Sequence, residues 1–290
     1  MPKEMLPIVD KPLIQYALEE AMEAGIEEFI LVTGRGKNLV EDHFDHAYEL
    51  EAILAERGKV NELEAMESMI PDPGCLSYTR QRRPRGLGHA VWCARQFIAR
   101  EPFAVVLPDD LILAAPGCLR QMVDAYQEVG GNLIAVEDVP REQTGRYGIL
   151  DVETDDGRLA KVRGLVEKPT PEEAPSTLSI IGRYILQSEV FEHLDKHEEG
   201  VGGEIQLTDA MSKTIGDTAF RYGGSQPPAR GSSLPLSQPL SLPNTLPHSL
   251  SSPLTLHHSL TLPPTHSQFR CTLYSLSISL SLSHFHTLSL

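Results

Sequence analysis

The sequence predicts an α/β fold with a doubly wound sheet, joined to a mixed α+β half. Three observations carry this. Helical and strand-like segments alternate from Lys11 to Val136. The apolar runs among them, such as Phe29-Ile30-Leu31-Val32-Thr33, are short and unbroken, as buried strands are. From Tyr147 the helices thin out and strand-like stretches follow one another, with Asp155-Asp156-Gly157 as a turn.

In order, Lys11–Ala24 carries Leu13, Ile14, Ala17, Leu18, Ala21 and Met22 at helical spacing, and Gly25 is the expected stop. The strand Phe29–Thr33 follows. Asn38–Ile70 is charged and helix-rich, an insertion of two or three helices ended by Pro71 and Pro73-Gly74. Cys75–Thr79 reads as a strand, Gly88–Ala99 as a helix, and Phe103–Leu107 as a strand stopped by Pro108-Asp109-Asp110. Gly117–Val129 is a helix and Asn132–Val136 a strand. Strands are then expected at Tyr147–Val152, Leu159–Glu167 and Leu178–Leu186, and helices at Ser188–Leu194 and Glu204–Ile215. Beyond Gly223 the composition collapses to Ser, Leu, Pro, His and Thr. Disorder is expected to about Gln268, and Leu273–Leu290 alternates Leu or Ile with Ser in a β-aggregation pattern. The division is thus an ordered domain over 1–222 and a low-complexity tail over 223–290, either a linker or a foreign reading frame.

The net charge of −15 is uneven: all 40 acidic residues precede Gly223. So acidic a front part excludes a broad nucleic-acid or anionic-membrane surface and suits a local basic pocket for an anionic ligand. Cys75, Cys93, Cys118 and Cys271 show no paired spacing, which argues against zinc or disulfides and for a reducing compartment. No signal-peptide pattern or membrane-length apolar run is present, so a cytoplasmic protein is expected.

Four stretches could carry chemistry. Pro2-Lys3-Glu4-Met5-Leu6-Pro7 is a proline-framed loop whose Lys3 suits phosphate oxygens, although loose lysines are common at termini. Gln81-Arg82-Arg83-Pro84-Arg85-Gly86-Leu87-Gly88-His89 stands between a strand and a helix. Its glycines, Gly86 and Gly88, would let backbone approach a planar ligand, and its three arginines make it the most basic spot in the chain. Alone it reads equally as a solvated turn. Asp109 and Asp110 end a buried strand, the edge where open α/β sheets bind ligands, and a carboxylate there suits Mg²⁺. Glu167-Lys168-Pro169 ends another strand; Glu167 could accept from sugar hydroxyls and Lys168 bind a phosphate. His89 stands alone, and no Ser-His-Asp or Cys-His set supports a nucleophile.

Together these motifs resemble the bacterial UTP–glucose-1-phosphate uridylyltransferases, or UDP-glucose pyrophosphorylases, of the sugar-nucleotidyltransferase superfamily. The matching strings run from Pro2-Lys3-Glu4-Met5-Leu6-Pro7 through Gly86-Leu87-Gly88-His89-Ala90, Leu107-Pro108-Asp109, Tyr147-Gly148, Val166-Glu167-Lys168-Pro169 and Gly182-Arg183-Tyr184 to Gly203-Glu204-Ile205-Gln206-Leu207-Thr208-Asp209, over residues 2 to 222. The resemblance implies a Rossmann-like mixed sheet of the nucleotidyltransferase type, UTP and glucose 1-phosphate as partners, and Mg²⁺ as cofactor. It implies homo-oligomerisation for intact members. It casts Lys3 as the nucleotide-phosphate lysine, Gln81 and Gly86 (beside Gly88) as uracil readers, and Asp109 as the metal carboxylate. Gly148 and Glu167 become the sugar-hydroxyl partners, and Lys168 the sugar-phosphate lysine. Members of the family open with a strand and a Gly-x-Gly-Thr-Arg phosphate loop ahead of the segment matching Pro2, and continue differently after Tyr222. The chain is therefore expected to be truncated at both ends and weak or inactive. A non-catalytic remnant serving as a ligand-binding or dimerising module, or another sugar-1-phosphate nucleotidyltransferase, is the alternative.

Overall fold

The computed structural model describes residues 1–214, 218–221 and 270–274. A 3₁₀ turn at Lys3–Met5 leads into a small hairpin, β1 (Pro7–Ile8) and β2 (Lys11–Pro12), and then into α1 (Leu13–Glu23) and β3 (Glu28–Thr33). The insertion forms α2 (Asn38–His43), α3 (Tyr48–Glu56) and α4 (Val60–Glu67) before β4 (Leu76–Arg80). There follow α5 (Leu87–Cys93), α6 (Arg95–Ile98), β5 (Phe103–Val106), α7 (Cys118–Val129) and β6 (Leu133–Asp138). The second half supplies β7 (Gly148–Asp155), β8 (Leu159–Glu167), β9 (Leu178–Leu186), α8 (Val190–Leu194), α9 (Leu207–Met211), β10 (Thr218–Arg221) and β11 (Arg270–Tyr274). Nine strands form one mixed sheet in the order β4-β3-β11-β5-β9-β6-β10-β8-β7. Pairing is parallel from β4 to β5 and antiparallel where β9 meets β5 and β6. The expected α/β architecture with a mixed second half is what is found.

Helix α1 shows the local logic. Its Leu13, Ile14, Ala17, Leu18 and Ala21 are buried along one face. Gly25, at φ +84°, closes it, with the Gly25 N–H on the Met22 carbonyl and the Ile26 N–H on the Ala21 carbonyl, a Schellman motif. One apolar core, with Ile14, Leu18, Val40, Leu119 and Met122, lies against α1, α2 and α7. The other, with Val91, Ile98, Phe191, Leu207 and Met211, gathers α5, α6, α8 and α9. The sheet is therefore covered on both faces, and β5 is fully buried.

Two expectations are corrected. The helix expected over Gly88–Ala99 is two helices, because the Ala94 and Phe97 N–H groups reach back only three residues, to Val91 and Ala94, and interrupt the ladder. The helix expected from Glu204 begins only at Leu207. Its first residues are extended instead, with the Ile205 N–H on the Arg85 carbonyl and the Gly88 N–H on the Ile205 carbonyl. The low-complexity stretch lies outside the described residues except for Arg270–Tyr274, just past the part expected to be disordered, which is strand β11, with Cys271 opposite Phe29 on one side and Ala104 on the other. Two buried parallel strands two places apart present rows of N–H and C=O groups that need partners, and an extended segment satisfies both rows.

Arg183 of β9, 1% exposed, is the largest fully buried side chain. Its guanidinium meets the Glu20 carboxylate of α1 at 2.8 Å and donates to the carbonyls of Leu107, Gly182 and Asp110 at 2.9, 3.1 and 2.9 Å. Burial works against the guanidinium charge, yet Glu20 more than restores it and holds the group above its ordinary pKa. Removing one partner of such a pair strands the other. Arg183→Met should therefore lower unfolding free energy by about 3–5 kcal/mol, and the double change with Glu20→Met should recover much of that loss. Urea unfolding of the three variants measures both.

Candidate active site

The predicted residues gather in three clusters where the parallel strands end. The first is built around the loop after β5. Leu107 donates its N–H to the Gly182 carbonyl, and the Gly182 N–H donates to Asp110 Oδ2 at 2.9 Å. Asp110 Oδ2 is thereby held in place, and both Asp110 and its neighbour Asp109 are exposed residues. Lys3 Nζ lies 2.8 Å from Asp109 Oδ2. What brings Lys3 there is its neighbour Glu4, which is fully buried and paired with Lys37 at 2.6 Å just ahead of α2. Lys3 and Asp109 are 106 positions apart in sequence, and the structure brings them together.

Carboxylates crowd this edge. Asp110 is held above the ordinary aspartate value by burial and then by Asp109. Glu137, at the end of β6, is raised by burial and then by Asp110 and Asp138. The buried Tyr184 hydroxyl is raised by burial first and then by Asp110, Glu167 and Asp109, so these three carboxylates share one electrostatic neighbourhood. Among the described residues no three His, Cys, Asp or Glu side chains form a closed metal cage. An open pair of carboxylates, with Asp109 outward, fits a divalent ion that keeps waters and takes further ligands from a bound phosphate.

The second cluster joins β7, β8 and α9. Gly148 lies opposite Glu167 in the β7–β8 register. Glu167 Oε2 accepts from the Thr208 hydroxyl at 3.1 Å. Lys168 has φ +48°, so the chain swings out of the strand and its ammonium comes to 3.6 Å from Glu167 Oε1 instead of pointing to the opposite face. A Cβ on Gly148 would lie 3.0 Å from Ile180 Cδ1 and 3.2 Å from Glu167 Oε2.

The third cluster is the glycine loop. Gln81 Nε2 donates to the Gly86 carbonyl at 3.0 Å and lies 3.1 Å from His89 Nδ1. His89 is lowered by burial and then by Arg85 and His197, and so favours its neutral form. The glycines are also required by packing. A Cβ on Gly86 would sit 2.8 Å from Glu204 Cβ and from the Ile205 carbonyl oxygen, and one on Gly88 2.8 Å from the same oxygen. The 204–206 segment lies against both positions and leaves no room for a side chain. Through Thr208 that segment ties this loop to Glu167.

Asp110, Glu137, Arg183 and Thr208 carry no assigned role in the sequence reading. Asp110 had a signal, adjacency to Asp109 at a strand end. Arg183 and Thr208 stand in recognised strings, but their partners at 163 and 41 positions' distance are set only by the fold.

A nucleotidyl transferase family model matches residues 1–223. A UTP–glucose-1-phosphate uridylyltransferase of Komagataeibacter xylinus is 55% identical over 229 residues, 78% of this chain and 81% of that protein. The enzyme of the same name from Bacillus subtilis is 54% identical over 215 residues, 73% of each chain. Among solved structures, a UDP-glucose pyrophosphorylase complexed with UDP-glucose superposes with TM-score 0.70 at 43% identity, over 77% of this chain and 83% of that one. The UTP-bound enzyme of Acinetobacter baumannii gives TM-score 0.70 at 38% identity, over 77% and 79%.

The clashes at the two glycines differ in kind. At Gly88 the obstacle includes backbone, which cannot turn aside; at Gly148 it is the ends of side chains. Gly88→Ala should cost about 1–3 kcal/mol of stability, and Gly148→Ala distinctly less. Urea midpoints at constant slope decide the comparison.

Proposed function

The chain belongs to the nucleotidyl transferase family, and from that premise we propose that its site couples UTP to glucose 1-phosphate, giving UDP-glucose and pyrophosphate. The observation that carries this reading is the Lys3–Asp109 pair at the carboxyl end of β5, a cation for phosphate beside a carboxylate for a metal. The names of the uridylyltransferase relatives support the choice of substrates.

In this reading Lys3 leaves Asp109 to grip the UTP phosphates, and Asp109 would hold Mg²⁺. The ion, when bound, supplies charge neutralisation to phosphate oxygens. Gln81 and the Gly86 backbone read uracil, and their existing hydrogen bond fixes the orientation of the amide. Glu167, with Gly148 beside it, accepts from glucose hydroxyls, and Thr208 keeps that carboxylate in place. Lys168 holds the phosphate of the sugar. A phosphate oxygen of glucose 1-phosphate attacks the α-phosphorus of UTP, the bond to the bridging oxygen breaks, and pyrophosphate leaves with its electron pair. No covalent enzyme intermediate is required. The protein's part is to align two anions in line and to oppose their charge.

Pyrophosphate release from UTP and glucose 1-phosphate with Mg²⁺ tests the assignment. Asp109→Asn should lower kcat about a hundredfold or more. Lys168→Ala should instead raise KM for glucose 1-phosphate by about tenfold or more, with a smaller effect on KM for UTP. Equal effects of Lys168→Ala on both substrates would assign that lysine elsewhere, and full activity of Asp109→Asn would remove Asp109 from the site.

A further inference from the structure

The basic loop is only partly used by the reading above. Gln81 and Gly86 face the nucleotide site, but the arginines between and around them line a separate cavity of about 600 Å³ with His89 and Trp92. That is the size range of small-molecule sites. It lies at the end of β4, the edge strand of the sheet, against the outer face of α5.

Four arginines around one cavity are unusual in a chain of net charge −15. Two of them have work elsewhere. Arg80 donates to the Gly34 carbonyl at 3.1 Å, and Arg85 pairs with the surface carboxylate Glu199 at 3.0 Å. Arg82 and Arg83 make no hydrogen bond or ion pair with any described residue. The wall behind them is firm. The indole N–H of Trp92 donates to Asp195 at 2.5 Å, Arg95 stacks on the ring at 3.6 Å, and the rings of His89 and His197 pack around it. An aromatic wall fixed in this way cannot collapse to fill the space. The exposed Arg82 and Arg83 line the same cavity with donors to spare, and paired guanidinium groups suit the oxygens of neighbouring phosphates.

We propose that this cavity is a second anion site, distinct from the catalytic centre, which takes a small ligand carrying a diphosphate group through Arg82 and Arg83, with Arg80 and Arg85 as the surrounding positive field. It goes beyond the reading of the catalytic site and does not depend on it. His89 belongs to both surroundings, lining the cavity and touching Gln81.

Trp92 is the single tryptophan of the chain, so its fluorescence reports this cavity directly. The full chain is titrated with methylenediphosphonate, with ADP and with adenosine, each with and without saturating UTP. Saturable fluorescence changes are expected with the diphosphonate and with ADP at dissociation constants of about a millimolar or below, and none with adenosine. Tighter binding of ADP than of the diphosphonate would show that a nucleoside adds contacts. The Arg82→Ala, Arg83→Ala double variant should weaken both by about tenfold or more while leaving kcat for pyrophosphate release unchanged, and UTP, which carries the same diphosphate, should compete with both. The proposal is overturned if neither diphosphate ligand binds, if the double variant binds them as the parent does, or if that variant loses turnover together with binding.

Discussion

The site depends on one buried charge. Arg183 reaches from β9 across the end of β5 and spends its donors on Glu20 and on three carbonyls, two of them in the Leu107–Asp110 loop. A guanidinium without water must satisfy its hydrogen bonds inside the protein, and the acceptors it uses are those of that loop, its own strand and Glu20. The loop is thereby fixed at both ends. With Asp110 Oδ2 held by the Gly182 N–H, the neighbouring Asp109 is placed where Lys3 meets it. Glu20 also accepts the N–H of Leu119, so the same pair seats the start of α7. Helix packing, strand end and reactive edge thus share one set of hydrogen bonds.

A second linkage crosses the site from the other side. The Gly86–Gly88 loop and the Glu204–Thr208 segment are far apart in sequence yet lie backbone against backbone, and Thr208 carries that contact on to Glu167. The glycine loop and Glu167 are therefore mechanically one piece. A displacement of the glycine loop reaches the carboxylate through three short contacts rather than through the sheet.

Much of this was legible in the sequence, and what was missed has a physical pattern. Periodicity located α1 and α7, and the unbroken apolar runs located β3 and β5, because burial on one stripe or on both faces leaves a local mark. The motif strings pointed to Lys3, Asp109, Glu167 and Lys168, which the fold does bring into ion pairs. Local pattern failed where a distant partner decides. Glu204–Gln206 looks helical, but Arg85 and Gly88 offer it backbone hydrogen bonds as an extended segment. Strand alternation would send Lys168 and Glu167 to opposite faces unless the end bends, and the positive φ at Lys168 supplies that bend. Arg83 and Arg82 read as part of a turn, and only the position of Trp92 makes a cavity of their surroundings. Strand β11 lies just past the stretch expected to be disordered, and its place is set by β3 and β5 on either side.

The central claim, that Arg183 acts on the reaction by fixing the loop that presents Asp109, is tested most directly by a double-mutant cycle on kcat. Parent, Arg183→Met, Asp109→Asn and the double variant are compared for UDP-glucose formation, at a temperature where all four keep native near-ultraviolet circular dichroism. If Arg183 works through Asp109, each single change lowers kcat and the double variant is little worse than Asp109→Asn alone. If the two losses simply multiply, or if Arg183→Met turns over as the parent does, the loop does not owe its working geometry to Arg183.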